Sequence, residues 1–377
     1  QWLEGLSGKI SEGRQILLSI PGMDDAAREN VGRAADVLTS LVKQSGLEAI
    51  SGLGYSGIAL EPGFYQSKFV THHFPGKGDG YLWNHFGKAP HPLEFAAWLP
   101  TNTVWATSWD ADVPGLWKAV RDQLRLAGIA EAETAFNEWT MMVETASGMK
   151  FGDLLASTGS QFGVALTLNP DKQVIIPVPG GPALKIPDVR FAIAMKVRDE
   201  RWFDWAKRAL DKNSQVIAAD DAALGLRMLT LPQPIPVPVE FRPTVARAGD
   251  YLWFASHDDL MKDLARVKAG KSPGLSSTDE FRKLSRNLPL KGNQFQFVSQ
   301  GFQALPQAIR KGFKQVAAQQ GGGPPMALVE KYLNTDGPIG SLTVGSALPQ
   351  GWPSVSDLTI QAHREVNLRH CCPRSAL

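Results

Sequence analysis

Cysteine is nearly absent from this chain of 377 residues: the only two, Cys371 and Cys372, are adjacent and close to the end. A bridge between neighbours would be strained and would close no loop, so a disulfide framework is excluded. The remaining residues, 1–370, hold no thiol, which suits an oxidising compartment. Long apolar runs are missing as well. The longest, such as residues 163–168 and 174–179, fall far short of the ~18–20 residues that a membrane-spanning helix requires, so no such helix is expected. An excess of one charge is also lacking. The 39 Lys and Arg against 37 Asp and Glu leave a formal charge of +2, and no overall field draws the chain to nucleic acid or anionic lipid. The opening Gln1-Trp2-Leu3-Glu4 has neither the basic nor the apolar region of a signal peptide. The expectation is an export signal that is absent or already removed.

What is present is enough apolar material for one large core or two ordinary ones, at 43% hydrophobic residues. Eleven Trp and 26 Pro predict large buried anchors and rigid loops. Helical spacing predicts an amphipathic helix over 26–45 behind Asp24 and Asp25. Two strand-like pieces, 55–60 and 66–73, flank Glu61-Pro62-Gly63 and read as a hairpin. Further on, strands are predicted at 81–83, 104–109, 162–168, 190–197, 226–231, 244–247, 251–256 and 293–299. Helices are predicted near 92–98, from Pro114, and over 130–147, 200–212, 258–268, 278–288 and 305–316.

The order of elements in the second half matches the first, and short motifs recur with it. Gly80-Tyr81-Leu82-Trp83 answers Asp250-Tyr251-Leu252-Trp253, and the strand ending at Leu60 answers the one ending at Leu231. Glu94-Phe95 with Leu99-Pro100 answers Glu280-Phe281 with Leu288-Pro289, Pro114 answers Pro306, and Gly159-Ser160 answers Gly340-Ser341. The reading is an α+β fold, internally duplicated, with antiparallel twisted sheets covered by helices. The first unit covers residues 1–189 with an N-terminal helical extension, and the second covers 190–377. On this reading Trp83 and Trp253 occupy equivalent positions on equivalent strands.

The segments 99–104, 147–155, 197–199, 249–256 and 276–281 carry a family likeness. In them the chain resembles the bacterial DUF3352-type proteins of unknown function, including members from Verrucomicrobia and Planctomycetes. The resemblance implies an exported or envelope-associated protein and brings no catalytic residues with it.

No catalytic motif is found. His72, His73, His85 and His91 lie close together in sequence, but their spacing matches no metal-ligand pattern, and they read as solvated or packed histidines. Residues 76–80, Gly-Lys-Gly-Asp-Gly, lack the form of a phosphate-binding loop and read as a turn. Asp110 or Asp112 is expected to cap the helix after it, and the pairs Asp220-Asp221 and Asp258-Asp259 are expected at turns and helix starts. No cofactor or metal is expected.

The least ordinary feature is the tetrapeptide Ile-Pro-Val-Pro, found at residues 176–179 and again at 235–238. Proline removes ladder donors, so these stretches are expected at edges, close together, with their aliphatic side chains packed on each other or offered to a partner. The candidate partner-binding residues are Ile176, Val178, Ile235 and Val237. The functional expectation is a non-enzymatic envelope or periplasmic protein that binds a protein partner or envelope component or serves as a scaffold, or else a carrier of a hydrophobic ligand in a Trp-lined groove.

Overall fold

A computed structural model describes residue 3 and residues 5–128, 130–177, 183–210, 215–231, 240–320 and 340–359. The chain begins with helices α1 (Leu6–Leu18) and α2 (Asp25–Ser45), followed by the hairpin β1 (Ile50–Glu61) and β2 (Phe64–His73). Next come a four-residue helix, α3 (Tyr81–Asn84), a short strand, β3 (His91–Pro92), and a 3-10 turn at Glu94–Trp98 leading into β4 (Thr103–Asp110). Helices α4 (Val113–Ala127), α5 (Ala130–Ser147) and α6 (Phe151–Ser157) precede the long hairpin β5 (Thr158–Ile176) and β6 (Leu184–Val197). Then follow α7 (Arg201–Leu210), β7 (Ile217–Asp221), β8 (Leu226–Thr230), β9 (Thr244–Ala248), β10 (Tyr251–Ala255) and α8 (Asp258–Lys268). A 3-10 turn at Leu275–Ser277, α9 (Asp279–Ser285), β11 (Lys291–Gly292), β12 (Gln294–Val298), α10 (Ala304–Gln320), β13 (Gly340–Gly345) and β14 (Gly351–Thr359) complete the order.

Local chemistry accounts for several of these boundaries. The Asp24 carboxylate accepts from the Ala27 amide at 2.6 Å and starts α2, and Gly46 at φ 80° ends it in the left-handed conformation open to glycine. Gly63 at φ 74° closes the β1–β2 turn as its position after Pro62 requires.

Twelve strands form one antiparallel sheet in the order β1-β2-β14-β13-β12-β4-β5-β6-β10-β9-β8-β7, and β3 pairs separately with β11. The α+β class is therefore as the sequence predicts. Strands from the two halves of the chain interleave, since β14, β13 and β12 stand between β2 and β4. A division at residues 189 and 190 passes through the middle of β6, whose residues on both sides pair with β5. The order β14-β13-β12 reads outward from β12 as β4-β5-β6 reads outward from β4, so three of the motif matches fall on corresponding elements. Glu94 and Glu280 precede β4 and β12, Pro114 and Pro306 lie in the helices that follow, and Gly159 and Gly340 lie at the starts of β5 and β13.

The match of Trp83 with Trp253 fails. Trp253 is in the middle of β10, whereas Trp83 is in the helical turn α3 and not in a strand. The cause is tertiary. Gly80 lies so close to the Gly46 backbone that a Cβ on it would stand 2.3 Å from Gly46 Cα, and the Trp83 Nε1 donates to the Gly46 carbonyl at 3.0 Å. Those contacts fix a short turn where the local pattern suggests an extended run.

One sheet face carries the core. Ala106, Ala165, Ala192, Ala194, Ala246 and Ala255 floor it, together with Phe295, Phe297, Leu342 and Val344. On this small-residue floor lie Trp253, fully buried, with Phe95 stacked at 5.8 Å and Trp98 at 5.2 Å, and Leu260, Met261 and Leu264 of α8. Gly163 is required beneath Phe95, whose ring would lie 2.4 Å from an added Cβ. Burying a tryptophan removes ~150–250 Å² from water, roughly 4–6 kcal/mol at ~25 cal/mol per Å². The opposite face is only partly covered: Ile193 and Phe254, paired across β6 and β10, remain 44% and 38% exposed.

Candidate functional site: an aromatic hollow on the open sheet face

Alternation along the strands sets Tyr55, Phe69, Ser354, Gly345, Gln294 and Trp109 in one row across β1, β2, β14, β13, β12 and β4. This row belongs to the open face. The neighbouring row on the same side includes Thr71 opposite Trp352. Gly345 interrupts the row with no side chain, and Leu82 and Trp83 of α3, with Phe86 beyond it, border the gap. The result is a hollow of about 350 Å³ lined by Ile50, Phe69, Leu82, Trp83, Phe86 and Trp352, with Thr71, Gln294 and Ser354 as polar groups. Among the described residues four aromatic rings border it and no charged side chain lines it. Its size falls within the usual range of small-molecule sites, ~300–1,000 Å³.

The hollow is built before anything enters it. Trp83 is buried, tied by its indole N–H to Gly46, and packed edge-on against His73 at 4.8 Å. Gly46 cannot be replaced cheaply, because a Cβ there would lie 2.6 Å from the Trp83 ring. At Gly345 the constraint is milder, since an added Cβ would lie 2.9 Å from the side-chain Oε1 of Gln294, a flexible end that can turn aside. Tryptophan and phenylalanine give large contact areas at little cost in rotamer entropy, so a rigid wall of this kind favours binding.

A polar cleft of about 440 Å³ lies on the other side of the segment that carries α3, lined among others by His85, Lys88, His91, Asp110, Asp112 and Arg198. His91 Nε2 meets the buried Asp110 carboxylate at 2.9 Å, and Asn293 donates to the same carboxylate at 2.8 Å. The hydrogen bond to Asp110 raises the His91 pKa above its ordinary value against the opposing effect of burial. Tyr251 donates to Gln161 Oε1 at 2.6 Å, and burial pushes its phenol pKa upward. His85 Nδ1 lies 3.0 Å from Asp112, which also caps α4 by accepting from the Gly115 amide at 3.2 Å. Both carboxylates are thus committed to architecture, and among the described residues neither ring is hydrogen-bonded to a hydroxyl nucleophile.

The histidines close in sequence turn to different partners, although the rings of His72 and His73 stay 6.2 Å apart. His72 pairs with the Ser51 hydroxyl at 2.7 Å, His73 with the Phe74 carbonyl at 2.9 Å, and the other two with different aspartates. Among the described residues no three His, Cys, Asp or Glu side chains gather as metal ligands. The glycine-rich segment turns at Gly76, φ 73°, and leads into α3 instead of a strand. Asp112 is the cap of α4 and Asp110 is not. Asp221 accepts from the Leu224 amide at 3.1 Å in a turn, and Asp258 and Asp259 occupy the first turn of α8.

Ile176 ends β5 opposite Leu184 and is half-buried. Val178, Ile235 and Val237 lie outside the described residues, so the expected meeting of the two proline-rich stretches does too. No described helix is long and apolar enough to cross a membrane.

Sequence reasoning missed Ile50, Phe69, Phe86, Gly345 and Trp352. A Trp-lined groove was legible as a possibility from composition, but no linear pattern joins residues 50, 86 and 352. Compared with known proteins, the chain matches no family model, no curated protein and no solved structure.

Proposed function

We propose that this is a non-catalytic binding protein whose binding element is the aromatic hollow between the open sheet face and α3. The observation that carries the reading is a preformed space of about 350 Å³ bordered by Phe69, Trp83, Phe86 and Trp352, with no charged side chain among the described residues that line it. Such a lining selects an uncharged, largely apolar group, because a buried charge would find no partner there. Thr71, Gln294 and Ser354 supply hydrogen bonds for one or two polar atoms and fix its orientation. This favours the carrier-like reading over a pure scaffold. An envelope or periplasmic setting is part of the proposal and rests on the resemblance to the DUF3352-type proteins.

The test is a titration with a neutral, environment-sensitive dye such as N-phenylnaphthylamine. Saturable binding at one site per chain is expected, weakened at least about tenfold in Trp352→Ala, the equivalent of ~1.4 kcal/mol. Binding that is unsaturable, or unchanged in Trp352→Ala and in a hollow-filling Gly345→Val variant, overturns the reading.

A further inference from the structure

Resting on that reading of the hollow, we propose that its occupant is the proline-rich segment 232–239 of a second copy of this chain, so that copies associate head to tail. The segment begins after Leu231 and reads Pro-Gln-Pro-Ile-Pro-Val-Pro-Val, with a proline at every second position from 232 to 238 and no charge. A peptide of this kind is restricted to extended or polyproline conformations, because each proline fixes its own φ and limits the residue before it. Aromatic-lined, uncharged grooves are the surfaces that take such peptides, since little conformational entropy remains to be lost. Four rings and Pro353 in the hollow, with Gln294, Ser354 and Thr71 beside them, fit that mode. Neither surface carries a charge that docking would strip of water.

The sheet decides between the same chain and another. Segment 232–239 is pinned at both ends: the Leu231 amide donates to the Pro243 carbonyl at 2.9 Å, and His257 Nε2 holds the Glu240 carbonyl at 2.7 Å. Eight residues between two fixed ends can reach no further than about four residues from them, roughly 14 Å at ~3.5 Å per residue. Its anchors are on β8 and β9, whereas the hollow involves β2, β14, β13 and β12. From β9 to β12, the nearest of these, the path crosses β10, β6, β5 and β4, roughly 24 Å at ~4.8 Å per strand. From β9 to Trp352 on β14 the same count gives roughly 34 Å. The segment cannot reach the hollow of its own chain, but it can reach that of a neighbour.

The anchors of the donor segment and the acceptor hollow lie toward opposite ends of one sheet, so the proposed contact is heterologous and propagates into chains or rings instead of stopping at an isologous dimer. The test uses the full chain and two variants, Trp352→Ala, which damages the hollow, and one with residues 232–238 replaced by Gly and Ser, which removes the donor. Sedimentation velocity over a hundredfold concentration range is expected to show wild-type protein growing beyond a dimer. Each variant alone stays monomeric, and an equimolar mixture forms a heterodimer and nothing larger, because each partner retains one surface. A synthetic peptide of residues 230–243 is expected to dissociate the wild-type oligomers and to displace the neutral dye competitively. Circular dichroism spectra and melting curves of both variants matching the wild type establish that they fold; should either fail, the peptide displacement decides alone. Wild-type protein that stays monomeric while the peptide fails to displace bound dye overturns the self-association but leaves the hollow as a binding site. Absence of dye binding as well overturns both.

Discussion

Asp357 on β14 is a carboxylate in a costly place, because it is fully buried. Its Oδ1 accepts from Gln66 Nε2 at 2.9 Å, and among the described residues its Oδ2 has no hydrogen-bond partner. Burial raises its pKa above the ordinary value, outweighing the lowering by Gln66 and by the Arg286 charge. The fold thus favours the protonated acid. Its destabilising effect is absent below the unfolded pKa of about 3.9, grows as pH rises through the folded pKa, and is complete above it. Asp357→Asn keeps the shape and the Gln66 contact while removing the charge. An unsatisfied buried acceptor costs ~1–3 kcal/mol, more when charged; the amide leaves both of its N–H donors unpaired, but loss of the charge outweighs them, so a net gain of about 1 kcal/mol is expected at high pH. Urea unfolding at pH 4, 6 and 8 measures it directly: the advantage of the variant is expected to rise with pH. A variant that is less stable than wild type, with a difference flat across that range, would refute the reasoning.

Three further outcomes follow from the same contacts. Gly46→Ala forces an alanine to φ 80° and places its Cβ 2.6 Å from the Trp83 ring, so a stability loss above about 2 kcal/mol by urea unfolding is expected, together with weaker dye binding. Trp253→Ala empties the centre of the core and is expected to cost about 3–5 kcal/mol by the same method, whereas Trp253→Phe costs less because the ring stack with Phe95 survives in part. The His91–Asp110 pair, its histidine pKa raised, contributes stability that is fully present below about pH 6.5 and is lost as pH rises through the folded pKa. The stability difference between wild type and Asp110→Asn is therefore expected to shrink between pH 6 and 8, as read by thermal unfolding.

What the sequence made legible was whatever has a strong local period or a single physical cap. The α2 pattern behind Asp24, the Glu61-Pro62-Gly63 turn and the Pro114 helix start all lie where the residues suggest. The α+β class followed from those elements. Strand β14 was not legible: Gly351-Trp352-Pro353-Ser354 has no alternating apolar pattern and holds a proline, yet it runs between β2 and β13, its Pro353 carbonyl accepting from the Ser346 amide at 2.9 Å. Strand β7 is short and largely exposed at the sheet edge, with little burial to mark it. Since Trp352 is on β14 and Gly345 on β13, the hollow was hidden for the same reason. Trp83 was conspicuous in sequence, but its place depends on a backbone contact between Gly46 and Gly80 that no linear pattern records. The repeat reading suffered from the same limit: motifs beside the central strands fall on corresponding elements, while the Tyr-Leu-Trp match joins a helical turn to a strand.

The central claim is that the hollow between α3 and the sheet binds an uncharged apolar group, and fluorine NMR of protein labelled with fluorotryptophan tests it at the site itself. The chain has 11 Trp, and the Trp83 and Trp352 signals are assigned from single Trp→Phe variants. Addition of the neutral dye is predicted to shift these two signals to saturation while Trp98 and Trp253, packed together in the core on the opposite sheet face, stay in place. Shifts confined to other tryptophans, or no saturable shift at Trp83 and Trp352, would contradict the account.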